Sequence, residues 1–318
     1  MDEPQVEARE RALQPSDTGP PRWNLDAIVS ELRLSREVTH NIRQGERIRR
    51  PPSREAVIRI LEGLTAALFP THYGQPELGP QSIDYFVGST LNTALVQLVE
   101  QVRRGLSFTA SDRSDDELRH AAQAITRDFA AALPSIRALL VSDLRAAFQG
   151  DPAATNFPEI LLGYSGMTAI IDYRLAHALY ELGATFLARL ISNIAHSRTG
   201  IDIHPAARIG SSFFIDHGTG VVIGATAIVG QHVRLYQAVT LGARDFPADD
   251  SGALIKGKAR HPVVEDDVVI YAGATILGRI TIGQGSTIGG NVWLTKSVPP
   301  GSHITQARTR TDDPDWVI

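Results

Sequence analysis

Between Val264 and Leu294 a branched aliphatic residue stands at every sixth position: Val264, Ile270, Ile276, Ile282, Ile288 and Leu294. An α-helix repeats its apolar face every 3.6 residues and a strand every 2, so neither element needs that period. A coil of three short strands does. A residue every six positions then points inward from successive faces of a prism and stacks an apolar column along its axis. The same period runs through Ile203, Ile209 and Ile215, and again through Ile223, Val229, Leu235 and Leu241. A second inward position follows four residues later, at Ala227, Val233, Val239, Val268, Ala274, Ser286 and Val292. Gly224, Gly230, Gly283 and Gly289 come directly after aliphatic residues, where a tight corner favours a residue without Cβ. A sandwich of short strands is the rival fold, and the unbroken register argues against it. The pattern predicts a left-handed parallel β-helix.

Upstream the period is helical. Ile28, Leu32 and Leu34 begin an amphipathic run, and Ser53 before Glu55-Ala56-Val57 reads as a capped helix start. Ile83 through Val102 continues at helical spacing to Gly105. Ser114-Asp115-Asp116-Glu117 opens a helix to Leu133, and Pro134 begins or kinks the next. Leu139 to Phe148 follows, and Gly150-Asp151-Pro152 breaks the pattern. Two last runs, Met167 to Leu182 and Ala184 to Ile194, are split by Gly183. The chain therefore reads as α+β in four parts: a disordered tail (1–22), a helical domain (23–198), a β-helix (199–306) and a flexible tail (307–318). The coil is interrupted once, between Gly242 and Pro262, by a polar stretch that maps to a loop leaving the stack.

Composition narrows the function classes. The 318 residues include no cysteine, which excludes disulfides, thiolate zinc sites and a cysteine nucleophile and suits a cytoplasmic protein. A net charge of -4 gives no reason to expect nucleic acid; the run Arg47, Arg49, Arg50 is flanked by Glu46 and Glu55. No stretch is apolar enough for a membrane span, and the polar start is unlike a secretion signal.

A packed prism leaves chemistry to its outside, commonly where two prisms meet. Asp202, His204, Asp216 and His217 break the apolar pattern there. With eighteen residues to a coil, Asp202 and His217 fall on neighbouring coils with a small lateral offset. The carboxylate is then able to accept from one imidazole nitrogen, leaving the other to take a proton from a hydroxyl. Spacing alone equally allows His217 to cap a turn. His217, His232 and His261 offer a three-histidine zinc site in principle, as in the β-helical carbonic anhydrases, but those place two histidines five positions apart and no such pair occurs here, so no metal is expected.

Three motifs then become specific together: Asp202-Ile203-His204-Pro205-Ala206-Ala207-Arg208-Ile209-Gly210, Asp216-His217-Gly218-Thr219-Gly220 and Arg260-His261-Pro262. They resemble serine O-acetyltransferases, a branch of the hexapeptide-repeat acyltransferases, and Asp151-Pro152-Ala153-Ala154 and Tyr173-Arg174-Leu175-Ala176-His177 resemble that family's last helices. The resemblance covers about residues 150 to 306. It implies acetyl transfer from acetyl-CoA to the hydroxyl of L-serine, the first step of cysteine biosynthesis, by a homotrimer or a dimer of trimers. Matched residue by residue, it implies His217 as general base and Asp202 as its orienting partner. Asp151 and Asp216 would hold the serine amine, or that of L-cysteine as feedback inhibitor, and Arg260 and His261 the carboxylate. Gly242, Ala243, Ala272, Gly273 and Gly290 would line the pantetheine arm, with Lys296 as a phosphate contact. The resemblance also implies a partner, O-acetylserine sulfhydrylase, bound through the terminal Ile318. Leu241-Gly242-Ala243, the long loop from Arg244 to Ala259 and the stretch before residue 110 depart from the shorter members of the family. Two rivals remain: an O-acetyltransferase for a sugar or homoserine, which would not need paired ammonium and carboxylate sites, and an inactive partner-binding scaffold.

Overall fold

The computed structural model describes residues 23–39, 50–74, 79–110, 112–245, 249, 252–253, 255 and 257–306. The expected tails, Arg47, Arg49, Ile318 and part of the long loop lie outside them. The chain divides into two compact units, 1–49 and 50–318. In the first, α1 is Leu25–Thr39.

The second unit opens with helices: α2 Arg54–Leu68, α3 Pro70–Tyr73, α4 Pro80–Thr109, α5 Asp115–Gly150, α6 Phe157–Gly163, α7 Ser165–Glu181 and α8 Thr185–Thr199. Ser53 caps α2 by accepting from the Ala56 N–H, and Ser114 with Glu117 forms a reciprocal capping box on α5. Two expected boundaries are wrong. α4 continues through Gly105, where a Cβ would meet Phe186 of α8 at an ordinary 3.7 Å contact, so this glycine lies within the helix and does not end it. α5 is one helix with Pro134 inside it. Leu118, Ala122, Phe129 and Leu133 are buried before the proline, and Ile136, Leu140, Leu144 and Ala147 after it. At about 1.5–3 kcal/mol for each large apolar side chain, that burial outweighs the ~3 kcal/mol a mid-helix proline costs.

The strands are two or three residues long and run β1 Asp202–Ile203, β2 Arg208–Ile209, β3 Phe214–Ile215, β4 Val222–Ile223, β5 Ile228–Val229, β6 Arg234–Leu235 and β7 Thr240–Gly242. After the long loop come β8 Val263–Val264, β9 Val269–Ile270, β10 Thr275–Leu277, β11 Thr281–Ile282, β12 Thr287–Ile288, β13 Trp293–Leu294 and β14 His303–Ile304. All pair in parallel into three faces: a first of β1-β4-β7-β10-β13, a second of β2-β5-β8-β11 and a third of β3-β6-β9-β12-β14. From β1 to β13 every third strand therefore stacks on the last, as the six-residue period requires, and β14 closes the third face on β12. Both inward columns are buried, including Ser286, whose hydroxyl donates to the Pro299 carbonyl and accepts from the Ser302 N–H. The glycines after the aliphatic positions have a different reason from the expected one. Gly224, Gly230, Gly283 and Gly289 all lie outside the left-handed region. They leave space for the neighbouring coil: a Cβ on Gly283 would stand 2.3 Å from the Pro300 nitrogen.

A parallel β-helix ends on a coil with unpaired backbone groups. Here the helices fill that need. Ser192 of α8 donates to the Ile203 carbonyl (2.7 Å), Tyr173 to Ala207 (2.7 Å) and Arg174 to Ile209 and Gly210 (2.6 Å each). His177 pairs with the Pro205 carbonyl at 2.8 Å. From α5, the Asp143 carboxylate accepts the Phe213 N–H (2.9 Å) and Ser142 accepts that of Ser212 (3.0 Å). The Tyr173-to-His177 motif is thus a cap for the first coil.

Candidate active site

The corner joining the third face to the first carries most of the expected chemistry. Asp202 pairs with Val222, so the first coil takes twenty residues, whereas Val222 pairs with Thr240, eighteen later. The expected eighteen-residue coil is therefore two residues short at this point. The excess lies between Ile215 and Val222, and it pushes the corner outward. His217 (φ 58°), Gly218 (φ 90°) and Gly220 (φ 82°) all adopt left-handed backbone there. A Cβ on Gly218 would lie 2.5 Å from Ile201 Cδ1, so glycine lets the turn close over the residue that precedes Asp202. The Gly220 N–H donates to the Gly200 carbonyl at 2.8 Å, tying the corner to the start of β1. Ser212, His232, Ala238, Asp267 and Asn291 share this left-handed backbone at other corners, so in His217 it belongs to the way the coil turns. The His217 ring is exposed and Asp202 half-buried on this same corner. Their side chains are not hydrogen-bonded to each other in this single protomer.

The helices bring in the next residue. Asp151 follows the last residue of α5, its N–H bonded to the Ala147 carbonyl at 3.0 Å. Its carboxylate accepts from the Tyr164 hydroxyl (2.5 Å) and the Ala153 N–H (2.8 Å). These two bonds, first that of Tyr164, hold it below the usual carboxylate range, with His217 and Arg234 adding attraction. Asp151 therefore stands within electrostatic reach of His217, a placement the sequence spacing did not show. Next to Tyr164, the Ser165 hydroxyl donates to the His217 carbonyl at 2.8 Å.

Arg260 and His261 lie elsewhere, on the corner joining the first face to the second. The Arg260 and His261 N–H groups both donate to the Thr226 hydroxyl oxygen (2.9 and 3.1 Å), and the Thr226 N–H donates to His261 Nδ1 (3.1 Å). Burial, with Arg260 and Arg279 nearby, lowers the pKa of His261 to about 4. The ring is thus neutral at pH 7 with its proton on Nε2, a hydrogen-bond donor. A Cβ on Gly224 would come within 2.1 Å of that nitrogen, so glycine makes room for the ring. His204 shares this corner, and burial followed by Arg189, His261 and Arg260 lowers its pKa to about 4.

The expected residues therefore divide. Asp151, Asp202, Asp216 and His217 stand at one corner, with Ala272, Gly273 and Gly290 on coils above. Arg260 and His261 stand at the other, with Gly242, Ala243 and Lys296. By the ladder register Arg260 is level with Ala225, three residues beyond Val222, the partner of Asp202. About 10 Å of strand therefore lies between Asp202 and Arg260, and more between His217 and Arg260. His217, His232 and His261 occupy three different corners, and no group of three acids or histidines among the described residues is arranged to hold a metal. Sequence reasoning missed Tyr164, Ser165, Thr226 and the reason for Gly224, because their roles arise from partners distant in sequence.

This architecture, a helical cap on a three-faced coil with histidines and carboxylates at its corners, defines a hexapeptide-repeat acyltransferase. The bacterial transferase hexapeptide family (six repeats) matches residues 261–296. A plasmid-encoded serine acetyltransferase of Synechococcus elongatus is 56% identical over 297 residues, 92% of this chain and 93% of that protein. The structure of serine acetyltransferase 1 of Entamoeba histolytica in complex with L-cysteine superposes with a TM-score of 0.67 at 35% identity, over 88% of this chain and 97% of that one. Serine acetyltransferase of Neisseria gonorrhoeae in complex with serine gives 0.51 at 29% identity, over 79% and 94%. The chain belongs to the serine acetyltransferase family, and its β-helix is the left-handed one. The match to the cyanobacterial protein extends through most of the helical part, well beyond the residues that carry the resemblance in sequence.

Proposed function

We propose that this protein transfers the acetyl group of acetyl-CoA to the hydroxyl of L-serine, giving O-acetyl-L-serine and CoA. The observation that carries the reading is the gathering of Asp151, Asp202 and Asp216 around His217 at one corner of the first face, with Arg260 and His261 on the other. An ammonium suits the first set and a carboxylate the second. The two charges of one amino acid, separated by about the length of one residue, do not span the width of that face. Two protomers packed side by side, as in a homotrimer, bring one corner of each together. We infer that the site forms there and that helices α5 to α7 anchor Asp151 to it. A dimer of trimers is compatible with this arrangement.

His217 removes the proton of the serine hydroxyl as its oxygen attacks the thioester carbonyl carbon. Asp202 orients the ring by accepting from its other nitrogen, in a contact that tightens with substrate present. The tetrahedral oxyanion collapses, the C–S bond breaks, and the thiolate of CoA takes back the proton from the imidazolium. No covalent enzyme intermediate is needed, and the chain has no cysteine to form one. Acetyl-CoA would lie between protomers, its thin arm along Ala272, Gly273 and Gly290 of one and Gly242 and Ala243 of the next, with Lys296 near a phosphate. Gly290 and Lys296 are exposed, in keeping with such a groove. L-Cysteine would use the same charged contacts and compete with serine.

Among the described residues no helix is long and apolar enough to cross a membrane, and we place the enzyme in the cytoplasm. Docking of the Ile318 tail in O-acetylserine sulfhydrylase remains part of the proposal, tested by calorimetry of a C-terminal peptide with and without that residue. For the reaction itself, CoA thiol release is expected with acetyl-CoA and L-serine and absent with homoserine or sugars. Release with every hydroxyl acceptor, or with none, overturns the reading.

A further inference from the structure

Asp151 and the His217 corner belong to elements more than sixty residues apart, and one tripeptide touches both. Tyr164 ends α6 and caps α7. Its hydroxyl donates to Asp151 at 2.5 Å, the Ser165 hydroxyl donates to the His217 carbonyl at 2.8 Å, and a Cβ on Gly166 would stand 2.2 Å from the Ile215 carbonyl oxygen. The start of α7 is therefore wedged between the two groups. The phenol is polarised by both sides of the site: Asp151 dominates the rise of its pKa to about 12, and Asp216 adds to it. At any physiological pH it stays protonated and donates to Asp151. The Ala153 N–H occupies the other carboxylate oxygen. Each oxygen keeps a lone pair for an incoming cation, and neither is free to rotate away.

We propose that Tyr164 is the positioning residue of the acceptor-amine site: its hydroxyl holds the Asp151 carboxylate in place and aimed beside His217, and so sets the affinity for the substrate's ammonium. This rests on the reading that Asp151 receives that ammonium. The group does not touch the reacting atoms, so its loss weakens binding of the amino acid and spares the chemical step. A hydrogen bond to a charged group is worth about 1.5–3 kcal/mol, a factor of ten or more in binding.

The test is Tyr164→Phe in the full-length enzyme, compared with Asp151→Asn and the double variant. The expected result is a KM for L-serine raised about tenfold, with kcat and the KM for acetyl-CoA within about threefold of the native values. Asp151→Asn should raise the serine KM further, and adding Tyr164→Phe to it should change little. On the acid side, the fall in serine affinity should begin at higher pH in Tyr164→Phe, because the carboxylate has lost the bond that chiefly keeps it ionised. Calorimetric binding of L-serine without acetyl-CoA, together with a melting temperature, separates weak binding from poor folding. An unchanged serine KM and acid limb in Tyr164→Phe, while Asp151→Asn weakens serine, sinks the role of Tyr164 alone. If Asp151→Asn itself leaves serine affinity intact, the underlying assignment of Asp151 is wrong. Equal losses in kcat and in affinity for both substrates would mark Tyr164 as structural only and overturn the proposal.

Discussion

Arg174 of α7 and Asp143 of α5 form a two-pronged ion pair, Nε and Nη2 each 3.0 Å from a carboxylate oxygen, with the side chains 4% and 0% exposed. Burial pushes the Asp143 carboxyl up, and Arg174 with the Phe213 N–H opposes that push. Each partner also bonds to the first coil, so the pair fastens helices to β-helix.

Breaking it leaves an uncompensated buried charge. Arg174→Ala or Asp143→Ala should destabilise the protein by about 3–5 kcal/mol. Urea unfolding checks this. Arg174→Lys should also be damaging, because an ammonium cannot serve the carboxylate and two carbonyls with one planar fork.

His217→Ala should lower kcat by roughly two to four orders of magnitude, the usual share of general base catalysis. A sharper test uses the division of the site between corners. His217→Ala and Arg260→Ala protomers, each inactive alone, should regain about a quarter of native activity when refolded together, because symmetric mixing restores both residues at one interface in four. No recovery would mean the site is built within one chain.

Gly224→Ala should act through His261. The added methyl meets the ring, displaces the Nε2 donor and raises the KM for serine with a smaller effect on that for acetyl-CoA. Steady-state kinetics with each substrate varied in turn decides it.

Asp172 of α7 lines a cavity with Leu61, Tyr73, Ile171 and Arg198, and its Oδ2 lacks a hydrogen-bond partner there. Burial raises its pKa from 3.8 to about 7, against the pull of Arg198. A raised carboxyl pKa costs nothing below the unfolded value; the cost grows from pH 4 and is complete above pH 7. Asp172→Asn should therefore gain stability relative to the native protein as pH rises across that window. Chemical denaturation at pH 4.5 and pH 8 measures the difference, and a pH-independent difference would refute the assignment.

The coil was legible in the sequence because its core is made by a residue's own position in a six-residue count, and both inward columns follow directly. The same count misjudged the His217 corner, where two extra residues lengthen the coil. Pro134 misled because local propensity is overridden when both halves of a helix are buried. Glycines after the aliphatic positions were seen, but their cause, contact with the next coil, involves residues up to 37 positions away.

The order of apolar and polar residues by itself determined the three-faced coil and the helical segment before it, while the identities of residues such as Asp216-His217 and Arg260-His261 carry the resemblance to serine acetyltransferases. Only the tertiary structure decided that Asp151 comes within electrostatic reach of His217, that the Tyr164 hydroxyl donates to it, and that Arg260 and His261 lie on another corner. The reason is physical: periodicity states which side of an element is buried, whereas the meeting of side chains depends on how elements far apart in the chain pack against one another.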